Sequence, residues 1–289
     1  MIKHLLSKTI NIASLGHIKF GWWSSPFTSS VSPIIIAGAP RTGSTLLRTM
    51  LDNHPSIWIG PENGVFQEGG SNLSGMVACT GLSQNVIREL HRKSTCLGEF
   101  IDALMACGLQ EARKSRWGIK SPSIVLNMSN VFRYFPKTQF VHILRDGRDV
   151  ICSLRDHPKY HLVNGIRQET GIVNPWEHCI SRWRESTREG LQWRSDPRYY
   201  EVKYEDLIVD PAFTLRSLLQ WLGHDFDESI LDFYTRETNE GIDTPHPGVK
   251  KPVYGSTIGR WKQDLPADAL RLLTDNDYRL ISECGYDID

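Results

Sequence analysis

Residues 33–45, PIIIAGAPRTGST, determine how the chain begins to fold. The three isoleucines at 34–36 form a short β-branched run, which is typical of a strand buried on both faces of a sheet. Gly38 ends this run, and an apolar pattern with helical spacing begins at Leu46. The stretch therefore predicts a buried strand, a tight turn and a helix.

The same order of elements recurs about a hundred residues later, where the apolar run 140–144 precedes residues 145–148, RDGR, and a helical pattern. Shorter strands are predicted at 117–119 and 199–202. The predicted helices span 84–107, 123–135, 176–194, 211–222, 227–237 and 266–283. Strands that alternate with helices predict a three-layer α/β fold, with a mostly parallel central sheet and helices on both faces.

The length of the chain suits one large domain. Its 289 residues are 40% hydrophobic and contain no internal repeat, so they can bury a sizeable core. Three loop-like stretches rich in glycine, proline or serine lie at 60–82, 156–175 and 239–258. We therefore predict a single domain over residues 31–289 with long functional loops, and an amphipathic leader over residues 1–30 that packs on it.

Charge and cysteine content restrict the partners and the compartment. Lys+Arg and Asp+Glu both number 33, so no global charge favours nucleic acid, and any anion site must be local. Lysines and histidines interrupt the leader. Its apolar runs are much shorter than the about 20 residues that a stable membrane anchor needs. The 6 cysteines have no disulfide-framework or zinc spacing, which favours a reducing, cytoplasmic location.

Residues 38–45 keep the GxxxxG spacing of a Walker A loop between a buried strand and a helix, which predicts a P-loop fold of the nucleotide-kinase type. Gly43 allows backbone N–H groups to turn inward. The helix that begins at Ser44 presents its first N–H groups and its positive dipole end to a phosphate. Ser44 and Thr45 add hydroxyl donors, so we predict a phosphate site at this loop.

The loop differs from that of a nucleotide hydrolase in its basic residue. Ser44 occupies the position of the usual lysine, and Arg41 lies inside the loop instead. The strand predicted at 140–144 ends in Arg145, where a phosphotransferase would place a carboxylate for Mg²⁺. Ser153 follows Arg145 by about two helical turns, so the two side chains can bind one further phosphate. The pattern predicts two phosphate sites built from fixed cations, with no metal.

Two phosphate sites of this kind resemble those of the sulfotransferases that use 3′-phosphoadenosine 5′-phosphosulfate (PAPS). Residues 38–55, GAPRTGSTLLRTMLDNHP, resemble the 5′-phosphosulfate loop of that family, and residues 140–153, FVHILRDGRDVICS, resemble its 3′-phosphate motif. The resemblance covers roughly residues 33–283. Weaker matches are WGIKSP at 117–122, KYEDL at 203–207 and IGRWKQDL at 258–265.

The resemblance implies which residues hold the donor, PAPS, and its product 3′,5′-bisphosphoadenosine (PAP). Arg145 and Ser153 would hold the 3′-phosphate, and Tyr204 would lie near the adenine; a core tyrosine after a strand is the alternative for that residue. The residues implied to hold the 5′ end are Arg41, Thr42, Gly43, Ser44 and Thr45.

A further donor contact is implied near the C-terminus. Many cytosolic members of the family carry Arg-Lys-Gly shortly before a Gly-x-Trp sequence. Here residues 254–256, YGS, stand before Gly259-Arg260-Trp261. Arg260 is therefore the expected donor contact, with Lys250 and Lys251 as substitutes.

The resemblance also implies the catalytic residues for an in-line displacement at sulfur. Arg41 or Lys120 would neutralise the departing oxygen. The cytosolic steroid and phenol enzymes place a histidine two residues after such a lysine, but Pro122 stands there. Glu62 matches the glutamate base of the tyrosylprotein sulfotransferases, so we predict it to be the general base. Those enzymes carry a nearby arginine after the glutamate, whereas residues 63–65 are Asn-Gly-Val here.

Several alternatives remain open at this stage. The favoured function is transfer of the sulfo group to a hydroxyl, or an amine, of a small molecule or natural product. A peptidyl tyrosine acceptor, a P-loop nucleotide kinase and a non-catalytic nucleotide-binding protein are the alternatives. Ser44 and Arg145 disfavour the kinase. His54 is a second candidate base, although a partner for the end of the preceding helix is its simpler role. The sequence leaves a homodimer open.

Overall fold

Five strands pair in parallel, with the isoleucine run at the centre of the sheet. The computed structural model describes residues 26–66, 73–158, 160–163, 166–235 and 257–288. Across the sheet the strands lie in the order β2 (Ile57–Trp58), β3 (Arg116–Lys120), β1 (Ile34–Ala37), β4 (Gln139–Leu144) and β7 (Tyr199–Lys203). The predicted parallel α/β sheet is therefore confirmed.

Side chains of β1 alternate between two apolar layers. Ile35 and Ala37 pack into one buried cluster together with Phe100, whereas Ile34 and Ile36 pack into another on the opposite face. A strand covered on both faces has no polar side to present to water, which explains its uninterrupted apolar run.

Helices cover both faces of the sheet. The longer ones are α1 (Ser44–Asp52), α2 (Leu73–Thr80), α3 (Gln84–Lys93), α4 (Leu97–Ala112), α5 (Met128–Tyr134), α6 (Gly147–Arg155), α7 (Trp176–Leu191), α9 (Pro211–Leu222) and α12 (Asp275–Glu283). The shorter ones are α8 (Tyr204–Val209), α10 (Trp261–Asp264), α11 (Ala267–Leu270) and the 3₁₀ segments Pro122–Asn127 and Glu228–Thr235.

The predicted helix 84–107 was wrong in its extent. Ser94 is extended (φ −67°, ψ 140°) and ends α3, and the Cys96 sulfur accepts the N–H of Glu99 at 3.4 Å to begin α4. Both flanking segments keep a helical apolar pattern, so hydrophobic periodicity does not reveal the break. The predicted helix 266–283 is likewise divided into α11 and α12.

The predicted loops contain regular structure. Helix α2 lies within 60–82, and an antiparallel hairpin of β5 (Tyr160–Val163) and β6 (Ile166–Glu169) lies within 156–175. The two-residue strand β2 was not predicted, because it is too short to show a period. Most of the third loop, residues 239–256, lies outside the described residues, together with Lys250 and Lys251.

The end of the predicted leader packs against the sheet-covering helices. The Ser29 N–H donates to the Tyr134 carbonyl at 2.8 Å, and the Ser29 hydroxyl donates to Asp102 Oδ2 at 2.9 Å. Residues 1–25 of the leader lie outside the described residues. Of the helices in the described ranges, none combines the length and the apolar character that crossing a bilayer requires.

A histidine is enclosed at the centre of β4, directly behind the phosphate loop. His142 is 0% exposed, and its ring lies so close to Gly190 that a Cβ there would lie 2.2 Å from its Cε1. Its Nδ1 lies 2.7 Å from the Tyr199 hydroxyl, which donates to Glu201 at 2.7 Å, so we assign the proton to Nδ1. The other ring nitrogen, Nε2, has no partner in the described part of the chain. Burial lowers the pKa of His142 to about 4.

We expect the protein to lose stability between pH 6.5 and pH 4 because of this histidine. In that range the unfolded chain binds a proton at His142 and the folded chain does not. The free energy of unfolding therefore decreases as the pH is lowered, by up to about 3 kcal/mol. Urea unfolding of the wild type and His142→Gln at several pH values measures the difference. The exposed control His178→Gln should keep the wild-type slope, and a wild-type slope in His142→Gln would contradict the assignment.

Candidate functional site

The turn between β1 and α1 has the backbone of a tight anion-binding loop. Arg41 (φ 72°) and Gly43 (φ 91°) both adopt the left-handed region, which a non-glycine residue rarely occupies. The Thr42 hydroxyl donates to the Ala39 carbonyl at 2.8 Å and holds the turn together from inside. Ser44 then begins helix α1, whose positive dipole end faces this turn.

The second predicted motif lies beside the first. Strands β1 and β4 are neighbours, so their carboxyl ends place Arg41 and Arg145 next to each other. Arg41 Nε donates to the Ser153 hydroxyl at 3.2 Å. Arg145 Nη1 donates to the Arg41 carbonyl at 3.1 Å, across 104 residues of chain. The structure thus brings both predicted phosphate-binding motifs into one cluster.

Arg145 is deeply enclosed in this cluster, with a side chain only 6% exposed. Its Nη2 donates to the Thr257 carbonyl at 2.6 Å and lies 3.7 Å from Asp149 Oδ2. Its guanidinium lies 4.6 Å from the ring centroid of Tyr204, whose hydroxyl is 2.7 Å from that of Thr257. Its Nε has no partner among the residues described, which leaves one buried donor for an anion.

Like charges accumulate at this edge of the sheet. Burial and the positive charges of Arg145 and Arg260 lower the pKa of Arg41. Arg260 itself is held by two carboxylates, donating to Asp156 at 2.7 Å and to Asp264 at 2.6 Å. A bound dianion would relieve the repulsion between Arg41 and Arg145. Arg260 lies close enough to add to this field, although its own donors are engaged by carboxylates.

The two other predicted catalytic residues form an ion pair on the neighbouring strand. Lys120 ends β3, next to Ile36 of β1, and is 4% exposed. Its Nζ donates to Glu62 Oε2 at 3.1 Å. The Ser121 hydroxyl donates to Glu62 Oε1 at 2.7 Å and lies 3.1 Å from the hydroxyl of Ser123. Both carboxylate oxygens of Glu62 therefore have a fixed orientation.

The residue after Glu62 has a structural role. Asn63 is 2% exposed, its Nδ2 contacts Cys79 Sγ at 3.4 Å, and its Oδ1 accepts the Val65 N–H at 3.2 Å. Gly64 (φ 68°) completes this turn. The segment therefore presents no arginine beside Glu62. In the similar motif of the tyrosylprotein sulfotransferases, an arginine follows the glutamate.

His54 is engaged at both ring nitrogens. Nδ1 accepts the Ser56 N–H at 3.1 Å, so Nε2 carries the proton and donates to the Asp225 carbonyl at 3.0 Å. A histidine with no free nitrogen cannot accept a proton from an acceptor. The His54 ring thus joins the Ser56 N–H to the Asp225 carbonyl, and its role as a partner for the end of helix α1 stays a prediction.

Three residues of the site were not predicted: Ser121, Asp149 and Thr257. Ser121 and Asp149 lie inside the quoted motifs WGIKSP and RDGRD, but their partners are remote in sequence. No local signal marks Thr257. Within the described ranges no group of three or more His, Cys, Asp or Glu side chains is arranged to hold a metal ion.

The fold and the site define the class as an α/β protein with a P-loop-like fold, in which the two predicted phosphate-binding motifs lie side by side. The sequence model of the sulfotransferase family matches residues 33–228. The chain therefore belongs to the sulfotransferase family.

Named relatives and solved structures agree with this family. The chain is 24% identical over 269 residues to the protein-tyrosine sulfotransferase of Drosophila melanogaster, covering 88% of this chain and 51% of that one. It is 22% identical to protein-tyrosine sulfotransferase 2 of Gallus gallus, covering 90% and 71%. The chain thus spans about half the length of the Drosophila relative.

Two solved structures share the fold. The sulfotransferase domain of the olefin synthase from Synechococcus PCC 7002 superposes with a TM-score of 0.71 at 24% identity, covering 93% of this chain and 99% of that domain. The sulfotransferase domain from the curacin biosynthetic pathway superposes with a TM-score of 0.69 at 21% identity, covering 90% and 100%.

The contact between Gly43 and Tyr204 gives a test of the loop geometry. A Cβ added at Gly43 would lie 2.4 Å from Tyr204 Cδ2, whereas one added at Gly223, also at positive φ (81°), meets nothing within 4 Å. We expect Gly43→Ala to lower the free energy of unfolding by about 1–3 kcal/mol more than Gly223→Ala, because only the first adds overpacking to backbone strain. Urea unfolding of both variants measures this, and equal losses would contradict the packing.

Proposed function

We propose that this protein transfers the sulfo group of PAPS to a hydroxyl group of a small-molecule acceptor, without a metal ion. The observation that carries the proposal is the junction of the two motifs, in which Arg41 bonds to Ser153 and Arg145 bonds to the Arg41 carbonyl. The Lys120–Glu62 pair follows the strand next to this junction. An anion site and an acid–base pair thus lie at one edge of the sheet.

The residues present fit a nucleotide with phosphates at both the 5′ and the 3′ position. The loop 38–45 would hold the 5′ end, and Arg145 with Ser153 would hold the 3′-phosphate. Arg145 Nε is buried and has no partner in the described part of the chain, as expected for a donor reserved for an anion. PAPS supplies an activated sulfo group whose transfer releases PAP. Tyr204, which packs on Gly43, would contact the adenine.

Glu62 and Lys120 supply complementary charges. The Glu62 carboxylate would take the proton of the acceptor hydroxyl as the hydroxyl oxygen attacks sulfur. Protonation of Glu62 weakens its attraction for the Lys120 ammonium. Lys120 could then donate to the negative charge that develops on the oxygen leaving sulfur, as Arg41 would from the loop. Ser121 keeps the carboxylate oriented while the proton arrives.

The preference for a small-molecule acceptor rests on Asn63. The tyrosylprotein sulfotransferases carry an arginine near this position, and here the side chain is buried against Cys79. A peptidyl tyrosine is the alternative acceptor, supported by the named function of the sequence relatives. A screen of small hydroxyl compounds, amines and tyrosine peptides with labelled PAPS distinguishes them. A cytoplasmic location and a homodimer stay predictions, as does the single domain over 31–289.

Two further alternatives are weaker. A nucleotide kinase would need a lysine at Ser44 and a carboxylate for Mg²⁺ at Arg145. A non-catalytic nucleotide-binding protein would keep the arginines, but it would have no use for the ion pair of Lys120 with Glu62. Product formation in the acceptor screen separates both from the proposed transferase.

Donor binding tests the 3′-phosphate assignment. In calorimetry with EDTA we expect PAP to bind much more tightly than AMP. Arg145→Ala should weaken PAP binding by about 1.5–3 kcal/mol, the range for a hydrogen bond to a charged group. The exposed control Arg92→Ala should bind PAP like the wild type. Equal affinity of the wild type for PAP and AMP would remove the assignment of Arg145 and Ser153.

Turnover tests the general base. Glu62→Gln keeps the size of the side chain and removes its basicity, so turnover should fall by about 10² to 10⁴ while PAP affinity stays near that of the wild type. The rate is measured with an acceptor from the screen. The matched control Asp102→Asn, another carboxylate that accepts a serine hydroxyl, should keep its turnover. Retention of more than about a third of the turnover in Glu62→Gln would assign the proton to another group.

A further inference from the structure

Asp149 is a buried carboxylate within the donor site that the proposed function does not use. It lies in helix α6 and is 0% exposed. Its Oδ2 accepts the Gly259 N–H at 2.8 Å, and its Oδ1 accepts the Trp261 N–H at 2.9 Å. Its Oδ2 also lies 3.7 Å from Arg145 Nη2. One carboxylate therefore joins the predicted 3′-phosphate residue to a segment more than a hundred residues away.

The segment held in this way, residues 257–261, forms part of the donor site. Its first residue, Thr257, accepts a hydrogen bond from Arg145 through its carbonyl and contacts the Tyr204 hydroxyl through its own hydroxyl. Its last residue, Trp261, packs under the guanidinium of Arg148, 3.8 Å from the ring centroid. Asp149 accepts the N–H of Gly259, which lies between these two residues, and the N–H of Trp261 itself.

The local charge explains why a carboxylate is tolerated beside an anion site. A free carboxylate next to Arg145 would repel a phosphate. Both oxygens of Asp149 are engaged by backbone N–H groups, and Arg145 lies beside one of them, so these contacts offset part of its charge. The carboxylate therefore acts on the segment 257–261 more than on the ligand.

We propose that Asp149 is a positioning residue for donor binding: it fixes the segment 257–261 and thereby sets Thr257 against Arg145 and Tyr204. The inference rests on the proposed function, in which Arg145 and Ser153 hold the 3′-phosphate. Because Arg145 is shared between the segment and the ligand, the seating of 257–261 and the binding of a 3′-phosphorylated nucleotide are coupled. Coupling of this kind is reciprocal, so bound PAP protects the segment from opening.

The experiment compares Asp149→Ala with Asp277→Ala by calorimetry. Asp277 is a matched control: it is equally buried, accepts the N–H and hydroxyl of Thr274, and pairs with Arg184, but it holds the start of helix α12. Asp149→Ala should raise the Kd of PAP by about tenfold or more and that of AMP by less than about threefold. Asp277→Ala should lower the Tm and leave both Kd values within about twofold.

Hydrogen exchange gives a second readout on the wild-type protein. PAP should slow amide exchange in residues 257–261, and it should fail to do so in Asp149→Ala. Asp149→Asn keeps one acceptor oxygen, so its affinity for PAP should lie between those of the wild type and Asp149→Ala, which a merely destabilising change would not produce.

The outcomes separate this inference from the proposed function. If the wild type binds PAP no better than AMP, the donor assignment itself is wrong. If the wild type discriminates and Asp149→Ala or Asp149→Asn discriminates equally well, the positioning role is overturned. If neither variant folds, the wild-type exchange measurement decides, because unchanged exchange of 257–261 with PAP overturns the coupling.

Discussion

The buried guanidinium of Arg145 imposes the strongest requirement on the structure. A cation removed from water needs oxygen partners, and those of Arg145 come from the Arg41 carbonyl, the Thr257 carbonyl and Asp149. These groups belong to the phosphate loop, to the segment before α10 and to helix α6. Strand order and helix packing must therefore agree before these three contacts can form.

The same sheet order positions Lys120 and Glu62, the proposed acid–base pair. Because β1 lies between β3 and β4, the residues that follow these strands meet at the carboxyl end of the sheet. Arg145 comes from one neighbour of β1, and Lys120 comes from the other. Glu62 reaches Lys120 from the segment after the edge strand β2. The proposed sites of anion binding and of proton transfer thus lie on opposite sides of the central strand.

Much of the site was predictable because its signals are local. The run 34–36, the glycine spacing that ends at Gly43, and the arginine at the end of β4 each lie within one short stretch of sequence. The elements that were missed lack such a signal. Strand β2 has two residues, and the break at Ser94 interrupts no apolar period. Pattern-based prediction cannot detect either, since it depends on repetition along the chain.

The sequence by itself determined the parallel α/β sheet, and it identified both predicted phosphate motifs and the candidate pair Glu62 and Lys120, because apolar period and motif spacing are properties of neighbouring residues. Only the tertiary structure decided that Asp149 holds Gly259 and that Asn63 turns into the core. These contacts depend on strand register and helix packing, which bring together residues that are distant in sequence and share no local pattern.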